Sequence, residues 1–240
     1  MTLLLLACTS KVPVADDTGS APPDDIADED DHFYGDTGDD DGDTADTGEP
    51  AAGPVTYALD GTLYLVTYKD PSTLGADYAH DHVVRAVGWS GTATWDLDDP
   101  STCSASITVP VDQLAVDEDE MRALAGLDGT LSSSDRAEIR DSMLASDQLD
   151  GDSYPEVTFE LDGCSGATGP ITLDGELGLH GRTRSVTVDA TVSASASEFL
   201  ATGELDFLVS DFGIEPYSAY FGAVALLDEV TLVFSLEGAS

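Results

Sequence analysis

Residues 78–84 read Tyr-Ala-His-Asp-His-Val-Val, and His80 and His82 are two of the four histidines in the chain. On a strand, residues two apart project to the same face, so His80 and His82 would share a face with Asp81 opposite. Neutral imidazoles at that spacing can share one transition metal, with His180 or a nearby carboxylate completing the shell. The same pair can instead meet a ligand's polar head, or satisfy backbone groups at a turn. No fixed third ligand can be named, so the expectation is that the pair is not a catalytic metal centre and that no cofactor is held. Other chemistry finds little support. Ser210–Ile214 reads SDFGI, but no Gly-rich loop, V-A-I-K or H-R-D segment accompanies it. No G-x-S-x-G elbow is present and no thiolate is paired with a histidine. His180, in GLHGRT, reads as a polar residue at a strand end. The carboxylates are so numerous that a pair of them carries no information.

Eight Lys and Arg stand against 48 Asp and Glu, a net charge of −40. A field of that sign repels polyphosphate, so nucleic acid is not expected as a partner. The cysteines are Cys8, Cys103 and Cys164, with no C-x-x-C, which speaks against structural zinc. The opening MTLLLLACTS has an apolar run too short to span a bilayer and no preceding base. Leu5-Leu6-Ala7-Cys8 nevertheless resembles a bacterial lipobox. That resemblance implies a lipidated Cys8, a true start upstream, and a place in the bacterial cell envelope as a periplasmic or outer-membrane lipoprotein.

Three segments follow from composition. Residues 1–10 are a signal remnant. Residues 11–54 are an acidic tether: from Lys11 to Pro50 there are fifteen acids and one base, with Asp-Thr-Gly repeated at Asp17, Asp36 and Asp46. Such a stretch cannot bury enough apolar surface to offset its ordering entropy. It also fails the EF-hand template, because Thr37 and Gly48 fall where the first and last ligands belong. Residues 55–240 are the folding domain, and there the pattern turns to period two. Val186/Val188/Ala190/Val192 and Val230/Leu232/Phe234/Leu236 alternate with mostly polar neighbours, as do Ile107/Val109/Val111, Val157/Phe159/Leu161 and Leu205/Phe207/Val209. Each reads as a strand with one buried face. Asp60-Gly61, Asp162-Gly163 and Asp174-Gly175 read as tight reversals of an antiparallel meander. Between Leu114 and Leu149 the period changes: Met121, Leu124 and Leu127 share one helical face, and Ile139 and Met143 lie four apart on a second helix. An antiparallel sheet with one helical excursion closes most economically into a barrel. The expected class is all-β, an elongated lipocalin-like antiparallel barrel with a short helical insertion.

The segments VTYALDGTLYLVTYK, WSGTATWDLDD, SASITVPVDQLAVD, RAEIRDSMLASDQLDGDSYPEVTFE, GELGLHGRTRSVTV and SDFGIEPYSAYFGAVALLDEVTLVF resemble, in order and spacing, the YceI-like polyisoprenoid-binding family. Thr62 and Leu63 depart from the usual His-Ser of its opening strand pair. The resemblance covers nearly all of 55–240. It implies a barrel that holds a long isoprenoid or related amphiphile, and so a lipid-binding envelope protein rather than an enzyme, joined to the membrane by its N-terminal lipid. Trp89, Trp95, Phe159, Phe207, Phe212, Tyr217 and Phe234, with His80 and His82, are the candidate ligand-binding residues. Ordinary core packing is the competing reading of each aromatic. Two other functions stay open: a metal-dependent enzyme using His80 and His82, and a structural surface lipoprotein with a filled core. If Cys8 is lipidated, Cys103 and Cys164 lie in an oxidising compartment and are expected to form a disulfide. Pairing Ile107 with Phe159 and Val109 with Val157 sets Cys103 opposite Gly163, and a bulge at Gly163 would bring Cys164 into reach.

Overall fold

The computed structural model describes residues 53–240. The lipobox-like Cys8 and the acidic segment up to residue 52 lie outside the described residues. Eleven strands follow in chain order: β1 (Val55–Lys69), β2 (His82–Ala86), β3 (Ser90–Trp95), β4 (Ser104–Pro110), β5 (Leu114–Val116), β6 (Glu156–Cys164), β7 (Gly169–Leu179), β8 (Arg182–Ala194), β9 (Glu198–Leu208), β10 (Ser218–Ala219) and β11 (Val224–Ala239). Two helices, α1 (Asp119–Leu124) and α2 (Ser133–Leu144), fall between β5 and β6. Ser132 caps α2 by accepting from the Asp135 N–H at 3.2 Å.

All pairings are antiparallel, and β1 pairs with β11, so the sheet closes on itself. The closed ring is β1-β3-β4-β6-β7-β8-β9-β11, an eight-strand barrel. The long β1 serves two neighbours on one edge: Val55–Ala58 pair with β3 and Tyr64–Thr67 with β2. The expected period-two faces are present. Val230, Leu232, Phe234 and Leu236 turn inward from β11, and Val157, Phe159 and Leu161 from β6. The even residue Val66 faces outward and meets Val83 of β2 and Met121 of α1, so α1 is packed on the outside of the wall.

Cys103 and Cys164 are joined in a disulfide. Ile107 faces Phe159 and Val109 faces Val157, and the β6–β7 register slips by one residue between Leu161 and Gly163. That extra residue is what turns Cys164 toward Cys103.

Several expectations are corrected. None of the three Asp-Gly pairs is a reversal. Asp60-Gly61 lies inside β1, whose register with β11 runs unbroken from Ala58 to Thr67; Asp162-Gly163 sits at the β6 bulge; Asp174-Gly175 lies inside β7. The tight reversal is instead His180-Gly181, with φ of 51° and 69°, between the paired Leu179 and Arg182. His180 is thus a turn residue whose Nδ1–H donates to the Phe212 carbonyl at 3.2 Å and whose ring meets Tyr154 edge-on. The opening strand pair is a single strand of fifteen residues. Val111 falls in a turn of 3₁₀ helix after β4 rather than in the strand. Leu124 is exposed, because α1 ends there and presents only Met121 to the barrel.

Candidate ligand-binding site

Inside the barrel runs a cavity of about 490 Å³. Strand register arranges its wall in rows. His82, Thr67, Val230 and Phe207 are neighbours across β2, β1, β11 and β9; two residues along, Val84, Leu65, Leu232 and Leu205 form the next row. Further rows are built on Leu63 and Phe234, then on Leu236, Ala201 and Val192, then on Leu59 and Phe199. The opposite wall carries Ile107, Phe159 and Leu177. The lumen stays open because small residues stand at inward positions, such as Ala93, Ala105 and Ala201. Two glycines do more. A Cβ on Gly175 would lie 2.8 Å from the Phe159 ring, and one on Gly203 would lie 2.6 Å from the Phe234 ring. Each phenyl therefore lies against the wall over a glycine instead of crossing the lumen.

One end is plugged. Tyr57, Phe199 and Trp95 form a buried aromatic cluster with centroids 5.3 and 5.4 Å apart. Trp95 Nε1–H donates to the Ala167 carbonyl at 2.6 Å and the Tyr57 hydroxyl donates to the Ser195 carbonyl, so two turns are drawn over this end. Burial raises the Tyr57 phenol pKa. At the other end the lining residues become exposed (Glu138 of α2, Tyr217 and Leu227), and this is the mouth. There the β1–β11 register breaks between Thr67 and Lys69, where β11 carries an extra bulge.

Beside the mouth lies a buried polar cluster. Asp117, fully buried with φ of 50°, accepts from His82 Nδ1–H at 2.6 Å, from the Val83 N–H at 3.1 Å and from Arg122 at 2.7 Å. Arg122 also donates to the carbonyls of Asp81, Asp128 and Gly129. Burial pushes the Asp117 carboxyl upward. The His82 hydrogen bond, the Val83 N–H, the His82 charge and Arg122 together outweigh it and hold the group below the ordinary carboxylate value. A bidentate Arg85–Glu118 pair stands alongside.

Of the candidate residues, His82, Trp95, Phe159, Phe207, Tyr217 and Phe234 line the cavity. His80, Trp89 and Phe212 do not. His80 is exposed and precedes the start of β2, so it never shares a strand face with His82. Trp89 lies between β2 and β3, half-buried against the barrel core. Phe212 is buried in a 3₁₀ turn after β9, edge-on to Phe207 at 5.6 Å, and stands behind the wall. The interior is not filled by side chains. Among the described residues no group of three or more His, Cys, Asp and Glu could hold a metal ion. Sequence reasoning missed Thr67, Phe199 and the Asp117–Arg122 pair. The available signal was Arg122, one of only eight bases, set within an acidic helix.

Residues 68–238 match the sequence model of the YceI-like domain. The chain belongs to the YceI-like family. This is a family of β-barrel binding proteins for hydrophobic ligands, and the cavity of this YceI-like barrel has the apolar lining that such a role needs. Solved structures carry the same fold. BcnA of Burkholderia cenocepacia is 19% identical, with 73% of this chain and 95% of that one covered at a TM-score of 0.53. A mutant of the Campylobacter jejuni YceI protein is 13% identical, covering 65% of this chain and 84% of that one at a TM-score of 0.50. At these identities the likeness establishes the barrel alone. No curated protein matches the chain.

Proposed function

We propose that this YceI-like barrel holds one long-chain amphiphile, an isoprenoid or similar lipid, and stores or carries it in a bacterial cell envelope. The observation that carries this reading is the plugged lumen of about 490 Å³ walled by aliphatic and aromatic side chains. Sequestering a chain there is worth about 0.8 kcal/mol per CH₂ removed from water, before the cost of ordering it. The lipobox-like Cys8 supports attachment to a membrane by a lipid, with the acidic residues 11–54 as the spacer. The disulfide supports an oxidising compartment. The experiment is mass spectrometry of an organic extract of the purified full-length protein, with reloading by a long-chain isoprenoid. About one lipid per chain is expected. A protein that retains nothing and cannot be loaded with any isoprenoid, quinone or acyl chain would overturn the reading.

A further inference from the structure

We propose that residues 70–79 and the tip of the β10–β11 hairpin form a docking surface that seats the mouth of the barrel on a lipid bilayer with net-neutral headgroups. The role of that contact, exchange of the bound chain with the membrane, rests on the reading above that the lumen holds an amphiphile.

The four most exposed large hydrophobic side chains of the described residues are gathered here. Leu74, Tyr78, Tyr220 and Phe221 stand at 101%, 82%, 80% and 112% of full exposure. They come from two stretches of sequence that the backbone ties together. The Gly75 N–H donates to the Ala223 carbonyl at 2.7 Å and the Asp70 N–H to the Ala225 carbonyl at 2.9 Å. A Cβ on Gly75 would lie 2.7 Å from the Ala223 oxygen, so the close approach needs glycine. Folding does not explain the hairpin tip. Tyr220 and Phe221 have φ of 52° and 59°, the left-handed region that bulky residues avoid, and their rings lie mostly in water. Asparagine or glycine would make the same turn at lower cost. Aromatics that are both strained and exposed point to a contact made outside the chain.

Position and charge choose the occupant. β11 ends at Ala239, paired with Ala58 beside the plug, and begins at Val224, beyond the rows that reach the mouth. Its hairpin with β10 therefore overhangs the opening. Pro216, Tyr217, Leu226 and Leu227 of the same arm line the cavity, so apolar surface leads from the lumen toward the tip. A long-chain amphiphile leaving along it enters whatever the tip rests on, and its own solvent is a bilayer. Tyrosine and phenylalanine suit the headgroup level, where the ring is buried and a hydroxyl stays wet. Residues 70–81 and 210–228 contain no Lys or Arg, and carry Asp70, Asp77, Asp81, Asp211, Glu215 and Asp228. Anionic headgroups would find no counter-charge here, only a field of their own sign. A second copy would bring the same acids face to face. Four side chains also fall far short of the roughly 20–30 residues a side of a stable protein interface. The chain enters the barrel at the plug end, where Val55 pairs with Trp95. The forty-six residues between Cys8 and Val55 can span at most about 160 Å, against about 54 Å for the sixteen residues of β11. A lipid on Cys8 thus leaves the mouth free to reach the same bilayer.

The test uses the full-length protein with Cys8→Ser as parent, so that no lipid anchor contributes. It is mixed with vesicles of phosphatidylcholine, alone or with phosphatidylglycerol added. One variant combines Tyr220→Asn with Phe221→Asn, which tolerate positive φ; the other is Phe221→Trp. The parent should co-sediment with the neutral vesicles and bind the anionic ones more weakly. The double variant should partition at least about tenfold less, because burying even one phenyl is worth about that factor. It should also extract dansyl-labelled geranylgeraniol from vesicles about tenfold more slowly. Loading of the same probe from ethanol, and the unfolding midpoint, should not change. Brominated phosphatidylcholine should quench Phe221→Trp beyond any quenching of the parent, whose tryptophans are Trp89 and Trp95. Parent protein that ignores vesicles, binds no better than the double variant or prefers anionic ones overturns the proposal. An unquenched Phe221→Trp protein does so too, as does self-association of the parent in place of vesicle binding, which would give the surface to a second copy. A double variant that unfolds earlier or no longer loads from ethanol assigns the two rings to the fold or the lumen, and likewise overturns it. In these cases the chain-holding reading is judged separately, by loading of the parent from ethanol. A parent that binds vesicles yet takes up the probe from neither source overturns exchange as the role of the contact, and the chain-holding reading with it.

Discussion

Asp117 is committed to three donors at once, and removing it leaves Arg122 charged, buried and short of its partner. Asp117→Ala should cost about 3–5 kcal/mol of unfolding free energy in denaturant titrations, and the α1 side of the mouth should open first in hydrogen exchange. The pH dependence has a definite sign. The folded-state pKa of Asp117 is depressed, so its contribution is complete above the unfolded-state value near 4 and is lost as pH falls through the folded value. Acid also neutralises the self-repulsion of a very acidic chain, an opposing effect on stability. The useful quantity is therefore the difference between the native protein and Asp117→Asn, measured from neutral pH down to about pH 3. That difference should shrink as the medium becomes acidic; a constant difference would show that Asp117 does not act through its charge.

At the scale of elements, the β4–β6 pairing is covalently locked by Cys103–Cys164, sixty-one residues apart in sequence. In the chain-entropy model closing such a loop stabilises by roughly 4 kcal/mol. The Cys103→Ser, Cys164→Ser double variant should lose up to about that amount in denaturant titration. Free-thiol titration of the native protein, unfolded without reductant, should count neither cysteine. The registers that place this bond were legible in the sequence because Ile107, Val109, Val157 and Phe159 alternate cleanly and a one-residue slip would turn every one of them outward. The two helices were legible because the period changes between Leu114 and Leu149, although Leu124 of the expected face is exposed. What misled was the Asp-Gly pair, whose turn preference is local, while the ladder through β1 and β7 is set by partners far along the chain. The cavity wall was half legible. Alternation says which residues face inward, but not that Gly175 and Gly203 draw two phenyl rings aside, nor that β2 starts only at His82 and leaves His80 outside.

For the whole molecule the aromatic plug has a consequence of its own. A tube stopped at one end is a ruler. From the row of Thr67 to the row of Leu59 is eight residues of strand, about 27 Å along β1. A chain lying in the lumen gains affinity with each added carbon, by about 0.8 kcal/mol at most, only while there is wall left to cover. Once its tail meets Phe199 and Trp95, further carbons must fold back or emerge at the mouth. Affinity plotted against length for a homologous series of alkanols should rise and then break sharply. Phe199→Ala should move the break to longer chains without changing the slope below it. A smooth plot with no break, or a break that Phe199→Ala leaves in place, would mean that the plug does not set the length of what the barrel selects.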